Sequence, residues 1–214
     1  MEMRDKILAH ATRLFAEKGA DGTSLQDIAD AVGVKKPSLL YHFPSKEALH
    51  GSVLEHLLSR WNEALPRLLK AAAREDRFDA ILDETLRFFA EDRDRARLLL
   101  REALDRPAQM RQMLAVHASP WLGVVAESIR KAQADGSMRA DVDAAGYVLQ
   151  VIQLVIGTFA FGPILQVLLP PATAAQAHQP LDHRLLAELK RVARAALLNP
   201  TAPARPRARA ARAR

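Results

Sequence analysis

Lys35, Lys36, Ser38, Tyr41, His42 and Lys46 fall in one short segment, and no acid stands between Lys35 and Lys46. Cations and hydroxyls at that density suit phosphate oxygens, and a serine hydroxyl can also reach base edges. The spacing is that of a short helix. Pro37 fits a first helical turn, and Pro44 stops the helix within about two turns. Just upstream, Leu25 to Val32 is a short apolar-patterned stretch that ends at Gly33. Glycine takes the left-handed conformation that closes a helix. A helix, a tight turn and a second short helix predict a helix-turn-helix over about 24–43, whose second helix enters the major groove of DNA.

Other elements must hold that unit in place. Ile7, Leu8, Ala11, Leu14 and Phe15 recur at helical spacing within 4–18, and Gly19 ends that helix. Thr23 and Gln26 are the expected capping box of the next helix. Leu25, Ile28, Ala29 and Val32, with Leu39 and Phe43, are the expected core of a three-helix domain over 1–45. Ser45 is placed to cap a long connecting helix over 46–72, with Leu49, Val53, Leu57, Trp61, Leu65 and Leu68 as its apolar positions. Pro66 is expected to kink it. Further helices are predicted at 78–91, 94–105, 108–118, 120–135, 143–169 and 182–198, with breaks at Pro107, Pro120 and Asp135-Gly136. The chain is therefore expected to be all-α.

From Ala144 to Leu181 there is no Asp, Glu, Lys or Arg. Tyr147 to Leu169 is long enough to cross a bilayer. However, Gln150 and Gln153 share a helical face, Gly162-Pro163 breaks the run, and the nearest charges on both sides are aspartates. A buried helix of a homodimer is the expected reading, with no membrane contact. Pro170 to Pro180 is expected to be a mobile loop. The tail 200–214, rich in Ala, Pro and Arg, is expected to be disordered and either to add nonspecific attraction to phosphates or to solubilise.

The net charge of the 214 residues is +6, but five arginines of the tail supply +5, which leaves about +1 for the rest. Residues 1–50 hold seven Lys/Arg and seven Asp/Glu. Local segregation of charge over 35–46, not bulk charge, is thus the signal for nucleic acid. There is no cysteine, which excludes disulfides and thiolate metal sites. No signal peptide is read at the N-terminus, so a cytoplasmic protein is expected.

Thr23, Ile28-Ala29, Gly33-Val34, Leu39-Leu40-Tyr41-His42-Phe43 and Lys46-Glu47-Ala48-Leu49 together resemble the DNA-binding signature of the tetracycline-repressor (TetR) family of bacterial regulators. Leu40 departs from it, standing where the family usually has a tyrosine that touches phosphate. The resemblance implies a homodimer on a palindromic operator and a C-terminal domain, here 73–199, that binds a small effector and dimerises. It implies DNA contact by Thr23, Lys35, Lys36, Pro37, Ser38, Tyr41, His42 and Lys46, with Pro37 and Ser38 toward bases. It also implies that the last two helices pair between subunits, with Val148, Val155, Leu185, Leu189, Val192 and Ala196 as candidate contacts. The function implied is repression relieved by the effector.

Phe88, Met110, Met113, Trp121 and Phe159, with His117 as a polar candidate, read either as plain core or, as the resemblance implies, as the lining of an effector pocket. An apolar or aromatic effector follows from the few charges there. Enzyme chemistry finds no motif: there is no Gly-x-Ser-x-Gly elbow, phosphate-binding loop or dinucleotide fingerprint, so no catalytic residue and no cofactor are assigned. The histidines lack the i, i+4 spacing of a helical metal site, and no metal ligand is assigned. The alternative reading is a helical adaptor that binds a protein partner through its apolar helices.

Overall fold

The computed structural model describes residues 2–72, 77–168 and 181–199. Ten α-helices follow one another: α1 (Met3–Lys18), α2 (Leu25–Val32), α3 (Lys36–His42), α4 (Lys46–Ala72), α5 (Arg77–Ala90), α6 (Asp94–Asp105), α7 (Pro107–His117), α8 (Ser119–Ala134), α9 (Ala144–Leu165) and α10 (Leu181–Leu197). The all-α expectation holds among these residues, and the helix limits lie close to those read from the sequence. The expected loop 170–180 and the tail 200–214 lie outside the described residues.

Local punctuation explains the first half. Gly33, at φ 81°, closes α2 in the left-handed region, and its N–H donates to the Ala29 and Asp30 carbonyls. Ser45 caps α4 as expected, its Oγ accepting from the Ala48 N–H at 3.0 Å. The capping box of α2 differs from the expected Thr23–Gln26 by one position. Ser24 Oγ accepts from the Asp27 N–H at 3.1 Å, and the Asp27 carboxylate accepts from the Ser24 N–H at 2.8 Å. Thr23 is pulled inward instead, and Gln26 donates to Asp30 at 2.7 Å. Helix α4 runs through the exposed Pro66 as one element.

The packing joins two ends of one apolar cluster. Ile7, Leu8, Phe15, Ile28, Leu39, Phe43, Leu49 and Val53 close the N-terminal core, and the same cluster continues through Leu57, Leu82 and Leu98 to Val155, Phe159 and Leu189. A second cluster gathers Leu68, Trp121, Ile129, Met138, Val148 and Leu197 at the other end of α4. By length and composition α9 could cross a membrane, but it packs against α5, α6, α8 and α10.

The seam between α4 and α6 holds a polar pair. His50 Nε2 lies 2.8 Å from Glu102 Oε1, with both side chains buried. The His50 ring also meets the edge of Phe15, centroids 5.3 Å apart. Glu102 Oε2 is buried without a hydrogen-bond partner among the described residues. Removing one member of such a pair strands the other in low dielectric. Glu102→Ala or His50→Ala is therefore expected to lower unfolding stability by about 3–5 kcal/mol in urea denaturation. Glu102→Gln, which keeps an acceptor for the ring, should lose less. Equal stability of all three variants and the native chain would show that the pair contributes nothing.

Candidate nucleic-acid interface and ligand cavity

Helix α3 has two distinct sides. Leu39 and Phe43 point into the core, and Arg4 covers the Phe43 ring at 5.1 Å. At about 100° per residue, Pro37, Ser38 and Tyr41 stand opposite that pair. All three are exposed, as are Lys35 and Lys36, and Tyr41 is 87% exposed. His42 is half-buried, its ring edge-on to Tyr41 at 5.4 Å. Leu40 is half-buried at the border of the inner face, where an apolar side chain fits.

The acids that precede α3 most closely in sequence are engaged on α2. Ser24 hydrogen bonds hold the Asp27 carboxyl below its ordinary range, and Asp30 accepts from Gln26. The outer side of α3 thus offers N–H and O–H donors with no carboxylate of its own.

Two of the expected DNA contacts are otherwise occupied. Thr23 is 1% exposed, and its hydroxyl donates to the Gly19 carbonyl at 2.8 Å. It pins the turn between α1 and α2 and has no polar atom to present to a phosphate, so it leaves the contact set. Lys46 is half-buried, and its Nζ donates to the Ala20 carbonyl at 3.0 Å. Its ammonium has further protons to give, so it ties α4 to that same turn while keeping donors toward solvent. This bond joins residues far apart in the chain and has no sequence signal.

A cavity of about 610 Å³ lies among α4, α5, α6, α7, α8 and α9. Phe88, Met110, Met113, His117 and Trp121 are among its lining residues. Phe159 is not. It is buried on the opposite side of α9 and stacks on Phe89 at 6.0 Å. Sequence reasoning missed Trp61, which it had placed only as an apolar position of α4. The Trp61 ring meets Phe88 at 4.9 Å and Trp121 at 5.1 Å, edge to face in both cases, and lines the cavity with Leu57 and Leu58. Among the described residues the polar lining is Thr85, His117, Ser119 and Gln153, and none of the lining residues is Asp, Glu, Lys or Arg. Thr85 already donates its hydroxyl to the Ile81 carbonyl.

Helix α6 lies between this cavity and the N-terminal domain. Leu99, Leu100 and Ala103 face the cavity. Glu102 meets His50, Arg101 donates to the Glu17 carbonyl at 3.2 Å, and Arg106 pairs with Asp21 at 3.1 Å.

The candidate subunit contacts divide. Val148, Val155 and Leu189 are buried in the chain's own core and are not available to a second copy. Leu185 is half-buried, while Val192 and Ala196 are exposed. On α9 the exposed side is instead Gln150, Leu154, Phe161, Ile164 and Leu165. This helix is uncharged all round, so its composition did not distinguish an inner from an outer side.

Two family models match the chain. One, described as bacterial regulatory proteins of the tetR family, covers residues 7–53. The other, described as a tetracyclin repressor-like C-terminal domain, covers residues 75–189, more than half of the chain. The chain is 56% identical over 48 residues to the biofilm operon icaADBC HTH-type negative transcriptional regulator IcaR of Staphylococcus aureus (strain Newman), which is 22% of this chain and 26% of that protein. The chain thus spans about a quarter of the length of the curated relatives it matches in this way. Among solved structures, a transcriptional regulator of the TetR/AcrR family from Thermobifida fusca YX-ER1 is similar with a TM-score of 0.55 and 25% identity, over 89% of this chain and 95% of that one. AibR, solved with isovaleryl coenzyme A and operator DNA, shares the fold with a TM-score of 0.68 at 18% identity, over 89% of this chain and 97% of that one. With both of its halves matched to family models and its helices arranged as in these regulators, the chain belongs to the tetracycline-repressor family of bacterial transcriptional regulators.

Proposed function

We propose that the chain is a homodimeric repressor that binds a palindromic operator through α3 and is released when a small apolar or aromatic effector fills the cavity. The observation that carries this reading is the outer side of α3. Lys35, Lys36, Pro37, Ser38 and Tyr41 stand exposed and free of acids over a buried Leu39–Phe43 underside. IcaR is described as a negative transcriptional regulator, and the AibR structure holds an acyl thioester together with operator DNA. Both support the reading.

Lys35, Lys36 and Lys46, with the Tyr41 hydroxyl and His42, would meet phosphates, while Pro37 and Ser38 would face bases. No arginine, asparagine or glutamine lies on α3, so bidentate base readout is scarce and DNA shape carries part of the preference. Two recognition helices related by a twofold axis would reach successive major grooves.

Release follows from linkage: the effector must bind the DNA-incompetent arrangement more tightly than the competent one. Helix α4 supplies the physical link, since it carries Leu57, Leu58 and Trp61 on the cavity wall and Leu49 and Val53 in the N-terminal core. An uncharged lining favours a neutral apolar effector, or an amphipathic one whose charged group stays outside.

The test is binding to genomic fragments by the full chain and by a chain ending at Asn199, at moderate and high salt. A discrete palindromic site that survives loss of the tail is expected; binding that disappears with the tail would favour the adaptor reading. At that site Lys36→Ala should weaken all sequences alike and lower the salt slope by about one unit per recognition helix, whereas Ser38→Ala should relax base preference. Lys46→Ala should do two things at once: weaken binding without changing preference, and lower unfolding stability by about 0.5–1.5 kcal/mol through loss of the Ala20 bond. Unchanged stability with weakened binding would assign Lys46 to phosphate alone.

A further inference from the structure

We propose that Trp121 selects the effector. The occupant is an apolar compound that bears a neutral hydrogen-bond acceptor, a carbonyl-type oxygen, and this oxygen draws the Trp121 indole N–H away from its place beside Trp61. The proposal rests on the effector-cavity reading above and names the chemistry that the cavity takes.

Three observations meet at this ring. Trp121 is 4% exposed, and its Nε1 is buried with no hydrogen-bond partner among the described residues. An indole N–H can only donate. A buried donor left unpaired is destabilising, and an acceptor brought to it removes that penalty. The acceptor is neutral, because none of the described lining residues supplies a countercharge and a bare buried charge is unfavourable.

The ring also stands between two voids. Thr85, Trp121 and Ile152 line both the large cavity and a smaller one of about 50 Å³, whose other walls include Val125, Ile129, Met138 and Val148. A core side chain is ordinarily held by close neighbours all round. Trp121 instead borders open space on two sides, so its ring has room to turn. Nε1 is covered in the present orientation, and the turn is what brings the N–H to the occupant.

Finally, the ring touches α4. It meets Trp61 edge to face, with centroids 5.1 Å apart and planes at 75°. Trp61 in turn meets Phe88 at 4.9 Å. Contacts of this kind depend on the angle between the rings. An acceptor that turns Trp121 therefore repacks a residue on the helix that holds Leu49 and Val53 in the N-terminal core.

The chain has two tryptophans, so the nitrogen-15-labelled full chain gives two indole N–H signals, and Trp61→Phe identifies the one from Trp121. The probes are fluorenone and fluorene, which share one flat apolar frame and differ by the carbonyl oxygen. Fluorenone is expected to bind about tenfold more tightly than fluorene, to move the Trp121 indole signal downfield and to abolish the nuclear Overhauser contacts between the two indole rings. In Trp121→Phe, which keeps a ring and removes the donor, the two probes are expected to bind alike. If circular dichroism shows that this variant does not fold, the signals of the native chain decide.

Equal affinities of the native chain for the two probes, or a Trp121 signal that stays in place with fluorenone bound, overturns the proposal and leaves the cavity reading standing. So does a folded Trp121→Phe variant that still prefers fluorenone. Binding of neither probe up to its solubility overturns both. The expected preference and signals, in a chain whose operator affinity fluorenone leaves unchanged, keep this proposal and end the release reading alone.

Discussion

One helix has to satisfy two cores at once. The first turns of α4 bury Leu49 and Val53 against α1 and α3, its middle turns present Leu57, Leu58 and Trp61 to the cavity, and its last turns place Ala64 and Leu68 inside. A helix is stiff along its hydrogen-bonded axis, so a displacement of its middle is not absorbed locally. It moves the end that holds the helix-turn-helix. That constraint orders the rest of the molecule: α1 docks on one end of α4 and carries α2 and α3 with it, and α5 and α8 pack along the rest of it. It also explains why Lys46 reaches back to the Ala20 carbonyl, since a bond there fixes the angle at which α4 leaves the small domain.

The polar groups at the α4–α6 seam add definition more than strength. A buried carboxylate with one oxygen unpaired is costly, and its pairing with His50 recovers only part of that cost. What such a pair does supply is direction. Apolar side chains tolerate sliding, but a 2.8 Å contact between Nε2 and Oε1 has one good geometry. With Arg101 and Arg106 holding the end of α1 and the turn beyond it, α6 has a register against the small domain that apolar packing would not impose by itself. Leu99, Leu100 and Ala103 on the same helix touch the cavity. An occupant that displaces α6 must therefore disturb contacts of narrow geometry.

The helix-turn-helix was legible in the sequence because its signals are punctuation. Gly33, Pro37, Pro44 and Ser45 each have a backbone reason to be where they are, and the apolar spacing between them leaves one arrangement. The capping box was misplaced by one residue because Thr23 and Ser24 are chemically alike as caps; only the buried bond from Thr23 to Gly19 decides which of them turns inward. Large aromatic and sulfur side chains marked the region where the cavity lies, but Phe159 is buried in the core outside the cavity lining. The exposed side of α9 was the least legible. Helix α9 is uncharged on every side, so hydrophobic periodicity has little contrast to report, and Val148 and Val155 look the same in sequence as Leu154 and Phe161. Contacts such as Lys46 to Ala20 and His50 to Glu102 are set by tertiary packing and leave no local trace.

These limits bear on how the proposed release could work. Among the described residues the cavity lining carries no charge, so an occupant is held by area and shape. Binding of that kind is permissive about chemistry but sensitive to the positions of the walls. The walls that also touch the small domain are α4 and α6. A ligand can shift an equilibrium only by its difference in affinity for the two states. In a cavity without charges, that difference must come from how well α4 and α6 fit around it. Under the proposed release, responsiveness depends on how these two helices fit the effector in the operator-bound state, and the His50–Glu102 contact ties α6 to α4 through one narrow geometry.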